Sequence, residues 1–354
     1  MSIFKKIISG ICAVAVAVSL TACGEDTAWA CKIDGKEVKA GIYINYIVSG
    51  YQEATNKLSD EGITEDLWNQ QVEGKSMSDF VKDYAIQKTA EFMATEKKFD
   101  EMGLSFTETE IKAMKIKVDN SWTSYEEFYT SKGISKQSFY DISLNDAKNE
   151  KIFNAYYDAD GISPVSDEEI YAFMKKTYAP VNFIPVSLKD EDGNPLDDTA
   201  KAAKIKEAEE LATRLKNGED FVKVYDEFSK IDTEESTDDT AEAEEPDPKK
   251  YETIVYEGMY SYYSYPEGLI SEAVAMNAGE VIVSAEYNNY VFVVLKTDIL
   301  ESDDYKENYK KGSLIELKRD EFLEMIEQYS TGLSVEKNQK AIDRYDPKKI
   351  IDRK

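Results

Sequence analysis

Asp190, Asp192 and Asn194 stand at the spacing of the first three ligands of a calcium loop, and with Cys12, Cys23 and Cys31 they are the side chains here best suited to chemistry. A calcium loop needs glycine at its sixth position for the sharp turn and glutamate at its twelfth as a bidentate ligand. Pro195 and Lys201 occupy those positions. A simple turn at Asp192-Gly193 is expected instead. The chain contains no histidine. That removes Ser-His-Asp and Cys-His catalysis, because no imidazole is present to take the nucleophile's proton. Zinc and copper sites recruit imidazole or several thiolates, so no metal and no other cofactor is expected.

Cys23 has a different chemistry written around it. Lys5 and Lys6 supply a basic start, Ile7 to Leu20 an apolar run broken by Ser9 and Gly10, and Leu20-Thr21-Ala22-Cys23 a small-residue end. The run is shorter than the roughly 20 residues that span a bilayer, and its layout is that of an export signal. The last four residues look like the lipobox of bacterial lipoproteins. The expectation is cleavage before Cys23, lipid on its sulfur, and a place on the outer face of the cell membrane, held by two or three acyl chains. Cys12 leaves with the signal and Cys23 takes the lipid, so no internal disulfide can form. Cys31 is expected to be an inert thiol in a tether over 24 to 40.

The mature chain carries 41 basic against 70 acidic residues, a net charge of −29. Nucleic acid is excluded as a partner, since no basic stripe is present to neutralise phosphates. Without disulfides the chain must be stabilised by its core, and its length suffices for two domains.

These side chains must be positioned by elements that hydrophobic periodicity predicts. A small strand-turn unit lies at Lys32 to Val38. Helices follow, one near Phe80, Tyr84 and Gln87, one opening on the capping box Thr107 to Glu110, and one over Lys136 to Tyr157. Asp160-Gly161-Ile162-Ser163-Pro164 breaks the pattern and marks a domain boundary. A second capping box at Ser166 and Glu169 opens a connecting helix. After it come a strand over Val181 to Leu188, with Pro185 arguing for an edge or bulge, and a helix from Thr199 to Lys216 closed by Asn217-Gly218. A short helix through Phe221 and Phe228 follows. From Asp232 to Asp247 every charged residue is acidic and no large apolar side chain occurs, the composition of a solvated, disordered insertion. A strand at Tyr251 to Tyr256, a helix over Leu269 to Met276 and a hairpin turning at Asn288-Asn289 complete the series. Past Ser302 runs a long helix, and the chain ends in a basic tail around Lys348 and Lys349.

This order resembles the parvulin-type prolyl isomerase domain of the PrsA and SurA family of extracytoplasmic foldases. Gly218, Phe221 and Phe228-Ser229 are similar to the family's pattern across its second helix. Glu257-Gly258-Met259, Leu269, Ala273, Val274, Met276 and Gly279-Glu280-Val281 look like the last third of that domain. The resemblance implies an α+β protein: a parvulin-like domain over 162 to 301, with a four-stranded antiparallel sheet, helices and an insertion at 232 to 250. It also implies a helical chaperone lobe over 41 to 161, completed by C-terminal helices over 302 to 354. Active parvulins place a histidine in the first strand and another in the last. The corresponding residues here are Phe183 and Val291, and the phenylalanines of the proline pocket correspond to Leu269 and Val274. The implied peptide-binding pocket is Phe183, Met259, Leu269, Val274, Met276 and Val291, with the tyrosines at 256, 260, 262, 263 and 265 suited to adaptable contact. The function this implies is a membrane-anchored foldase or holdase that binds unfolded, newly exported polypeptides. The alternatives are an active isomerase with a histidine-free pocket, and a solute-binding lipoprotein. The last needs two α/β lobes, against which the helical first region argues.

Overall fold

Asp34 and Gly35, both at positive φ (50° and 77°), turn the chain between strands β1 (Trp29–Ile33) and β2 (Lys36–Lys39). The computed structural model describes residues 29–59, 67–231, 251–259 and 265–353. The export signal, Cys23 and the acidic insertion at 232 to 250 lie outside the described residues. From β2 the chain passes directly into α1 (Ala40–Ser59), and a second short hairpin, β3 (Gln71–Val72) and β4 (Lys75–Ser76), leads to α2 (Met77–Glu101). Gly50 lets α1 and α2 approach closely: a Cβ there would lie 2.9 Å from the Tyr84 ring. Thr107 and Glu110 form a reciprocal capping box on α3 (Glu108–Lys132), which ends on Gly133 at φ 88°. In α4 (Lys136–Tyr157), buried Asn145 donates to the Phe92 carbonyl oxygen (2.9 Å) and to Glu96 (2.8 Å), fixing α4 on α2.

Ser166 caps α5 (Asp167–Thr177), its hydroxyl accepting from the Glu169 N–H. The central elements are β5 (Tyr178–Ser187), α6 (Asp198–Lys216), α7 (Phe221–Ile231), β6 (Glu252–Tyr256), α8 (Glu267–Ala275), β7 (Val281–Val283), β8 (Tyr290–Lys296) and α9 (Asp303–Thr331). Their strands form an antiparallel four-stranded sheet in the order β6-β5-β8-β7. The β7–β8 turn is built on Asn288 and Asn289 at φ 53° and 63°, the geometry in which a two-residue turn matches strand twist. β5 is central rather than an edge. Its pairing with β6 stops at Asn182, however, so Pro185, which has no N–H to donate, lies where one flank of β5 has no partner strand among the described residues. The Asp190 carboxylate accepts the N–H groups of Asp192 and Asn194 (3.0 and 2.8 Å), so the calcium-like triplet is a turn.

The C-terminal elements are β9 (Val335–Lys337), α10 (Gln339–Arg344) and α11 (Pro347–Ile351). β9 pairs with the other edge of β1, Cys31 opposite Lys337, which gives a three-stranded sheet in the order β2-β1-β9. The first and last described strands thereby close one unit. Two expectations change here. The strand-turn unit expected at Lys32 to Val38 is present, but it begins at Trp29 and belongs to the folded unit rather than to a tether, and Cys31 is fully buried in β1. The basic tail is a packed helix, with Ile350 fully buried in α11. The chain divides into two units, one holding the described residues through Ile152 together with 324–353, the other Phe153–Leu323. The break falls earlier than Gly161 because Phe153 and Tyr157 pack with the second unit's residues: the Phe153 and Phe322 rings lie 5.4 Å apart, and Tyr157 donates to Glu321 (3.1 Å).

Candidate peptide-binding site

Side chains alternate across the sheet of the second unit, and β5 sorts them cleanly. Ile184, Val186 and Leu188 point to one face, with Val291 and Val293 of β8, and are covered by α6 and α7. Ala179, Val181 and Phe183 point to the other, with Phe292 and Val294 of β8 and Val255 of β6, and are covered by α8. Register fixes this division: Phe183 faces Val294, and Val186 faces Val291.

Five of the six sequence-assigned pocket residues meet on the α8 face. Phe183, Leu269 and Met276 are buried there, and Met259 and Val274 pack against them half-buried. Val291 does not join them. It lies on the α6 and α7 face, because one residue's step along a strand reverses the side chain, and Phe292 takes the place assigned to it. Of the tyrosines, Tyr265 packs on Phe183 in a tilted pair with ring centres 4.5 Å apart, whereas Tyr256 stands with Tyr178 on the opposite face. Tyr260, Tyr262 and Tyr263 lie outside the described residues.

The result is an aromatic surface. Phe292 meets Phe183 edge-on at 6.1 Å and Tyr265 at 6.4 Å, and Tyr290 lies 6.2 Å from Phe292. Gly268 makes room for Tyr287 across α8, since a Cβ there would lie 2.7 Å from the ring, and the Tyr287 hydroxyl donates to Glu272 (2.9 Å). Burial raises the Tyr265 hydroxyl above its usual pKa. Burial and the bond to Glu272 do the same at Tyr287. Neither phenol can serve as a base near neutrality, and the chain has no imidazole. What this surface offers a ligand is shape, dispersion and ring quadrupoles.

Lys296 was not foreseen. It is 5 % exposed, and its Nζ donates to the carbonyl oxygens of Val274 and Met276, both at 2.7 Å, satisfying two acceptors at the end of α8. A cation is favoured at a helix C-terminus, and burial lowers its pKa. The signal was there: Lys296 falls in the inward parity of Phe292 and Val294.

No family model matches the chain, and no curated protein matches it. Solved structures do. Foldase protein PrsA from Streptococcus pneumoniae is 19% identical, with 70% of this chain and 84% of that one covered and a TM-score of 0.31. Foldase protein PrsA from Lactococcus lactis is 15% identical over 90% and 99% of the two chains, with a TM-score of 0.30. Peptidylprolyl isomerase PrsA from Bacillus cereus is 18% identical over 74% and 88%, with a TM-score of 0.29. Over most of its length, this chain is similar to PrsA foldase structures.

Proposed function

We propose that this chain is a PrsA-type foldase, anchored by lipid at Cys23 on the outer face of the cell membrane, which holds unfolded exported polypeptides and does not depend on prolyl isomerisation. The observation that carries this reading is the aromatic cluster of Phe183, Tyr265 and Phe292. Of the two positions where the resemblance implies catalytic histidines, Phe183 lies in this cluster, packed on Phe292 and a half-buried tyrosine, and Val291 is an aliphatic residue on the opposite face of the sheet. Prolyl isomerisation crosses a barrier of ~18–20 kcal/mol, and lowering it calls for donors that grip a twisted imide. Rings supply none. They do supply an adhesive surface for apolar segments.

The test measures aggregation of an unfolded client and isomerisation of a proline peptide in parallel, with mature protein from residue 24. Suppression of aggregation near equal stoichiometry is expected. Isomerisation should stay at the uncatalysed rate, tens to hundreds of seconds. Strong acceleration would move the assignment to an isomerase, and absence of suppression would reject the foldase. The anchor is tested separately: Cys23→Ala should release the chain from the membrane fraction, as no described helix is long and apolar enough to span a bilayer.

A further inference from the structure

We infer that the first unit rests one end on an anionic lipid surface, with Tyr125 and Phe128 of α3 at headgroup level and Lys348 and Lys349 of α11 against the headgroup charges. The inference rests on the reading of Cys23 as the lipid anchor and names what else of the chain touches the membrane. Six residue steps separate Cys23 from Trp29, where β1 begins. Fully extended, they reach roughly 20 Å. The end of the first unit that carries Trp29 is therefore held beside the bilayer.

A series of contacts defines that end. Trp29 pairs with Lys39 across β1 and β2, and the Lys39 ammonium donates to Asp141 of α4 (2.6 Å). The chain then passes straight into α1, where a Cβ on Gly41 would lie 2.8 Å from that of Ser138. A Cβ on Gly133, at the C-terminus of α3, would lie 3.7 Å from Ile44 of α1 and 3.1 Å from the Arg353 guanidinium. The Lys132 ammonium donates to the carbonyl oxygen of Ile351, the last residue of α11 (2.7 Å). The root of the tether, the start of α1 and the C-terminal ends of α3 and α11 thus lie together.

What this end shows to solvent is aromatic and cationic. Tyr125 and Phe128 are 58 % and 45 % exposed, and their spacing of i, i+3 and i+7 with Lys132 sets all three on one face of α3. Glu126 and Glu127 turn away from that face, each residue of a helix being rotated by about 100° from the last. The Lys132 ammonium lies 5.7 Å from the centre of the Phe128 ring. Aromatic side chains collect at the headgroup layer, where their rings sit between hydrocarbon and water. Lys348 and Lys349 lie within one helical turn of Ile351, are exposed, and have no ion-pair partner among the described residues. Residues 339 to 354 carry six cations against three acids, in a mature chain of net charge −29. Salt screens each charge over about 8 Å at physiological strength, so the bilayer meets these residues and not the net charge of the chain. Lysines near an anionic surface are attracted to it, and a basic patch beside acyl chains adds to their hold.

The probe is the lipidated mature chain reconstituted in vesicles of phosphatidylglycerol and phosphatidylcholine, with the photocrosslinker benzoylphenylalanine in place of Phe128, of Tyr125 or, as control, of Lys57. Lys57 is exposed near the far end of α1, roughly 25 Å along its axis from Gly41. Illumination should yield phospholipid adducts at the Phe128 and Tyr125 sites and only background at Lys57. Reversing both lysines, Lys348→Glu with Lys349→Glu, should cut the adducts about fivefold or more at unchanged melting temperature, and vesicles of phosphatidylcholine alone should do the same to the parent. Equal adducts at Phe128 and Lys57, or adducts at Phe128 indifferent to lipid charge, would overturn the proposal. So would protein–protein adducts at Phe128 in place of lipid, since a second copy would then cover the rings. Flotation of the vesicles keeps the two readings apart. A chain that floats with them but gives no lipid adduct at Phe128 loses this surface and keeps its anchor; one that does not float loses both.

Discussion

Lys132 and Arg353 hold each other's backbones. The Lys132 Nζ donates to the Arg353 carbonyl oxygen and, at 2.7 Å, to that of Ile351, while the Arg353 guanidinium donates to the Lys132 carbonyl oxygen at 3.0 Å. Lys132 is 8 % exposed, so these bonds form largely out of water. Lys132→Met should cost roughly 1–3 kcal/mol, the loss expected when buried acceptors are left unsatisfied. Urea unfolding of the variant measures it. Truncation after Tyr345 should cost more, because it also removes α11 with its buried Ile350.

Residues on opposite faces of the four-stranded sheet should behave as opposites. Val291→Ala removes two methyl groups from the core under α6 and α7 and should cost roughly 2 kcal/mol, at ~0.8 kcal/mol per methyl plus a cavity contribution, with client capture per folded molecule unchanged. Tyr265→Ser alters only the half-buried surface on the α8 face. Its expected effect is weaker aggregation suppression with a melting temperature close to that of the parent. A loss of capture at Val291 and none at Tyr265 would mean that the site is on the wrong face.

Asn182 is 2 % exposed in β5, and its Oδ1 has no hydrogen-bond partner among the described residues. Its side chain shares the parity of Ile184 and Val186. Asn182→Val removes an unsatisfied acceptor and adds strand-favouring branching. The variant should be more stable by roughly 1 kcal/mol, read as a higher urea midpoint.

Glu110 is held at a pKa of about 2, below its ordinary 4.5, by the hydrogen bond from Lys151 and by those from the Thr107 backbone and hydroxyl. A carboxyl whose pKa is depressed by folding stabilises the folded state above the unfolded pKa and stops doing so as pH falls through the folded one. The stability gap between parent and Glu110→Gln should therefore be constant near neutrality and close between pH 4.5 and about 2. Acid titration followed by circular dichroism tests the window. The ion pair with Lys151 lies at the solvent-exposed surface, so the gap will be small and salt-sensitive.

Burial pushes the Cys31 thiol up to about 11, and it has no accessible surface. The thiolate is the reactive form. Alkylation at mildly alkaline pH should fail on the folded protein and proceed once denaturant opens the first unit, which makes Cys31 a reporter of that unit alone.

Much of the second unit was legible in the sequence because its signals are local. Asn288-Asn289 can be read as a hairpin turn, Asn217-Gly218 as a helix end, and the order of strand, two helices, strand, helix and hairpin follows from period alone. Face assignment was harder. Val291 and Phe292 are both apolar, and only the pairing of Val186 with Val291 shows which of them turns toward α8. The first unit hid more. α1 runs through Ala40-Gly41-Ile42-Tyr43-Ile44, whose branched and aromatic content reads as strand, and tertiary packing against α2 overrides that preference. β9 is three exposed residues whose only cause is the free edge of β1.

The pairing of β1 with β9 also sets a schedule. The Ser334 N–H donates to the Asp34 carboxylate across 300 positions of sequence, so the first strand among the described residues must wait for the last one. Contacts of such separation close slowly, since the loop entropy is lost before the contact returns anything. The second unit is bounded by residues 153 and 323, so all of it emerges before β9 does and it can finish folding first. Until then the edge of β1 that β9 takes and the side of α1 that α11 packs on stay open, and the nascent chain exposes surface that the finished fold covers.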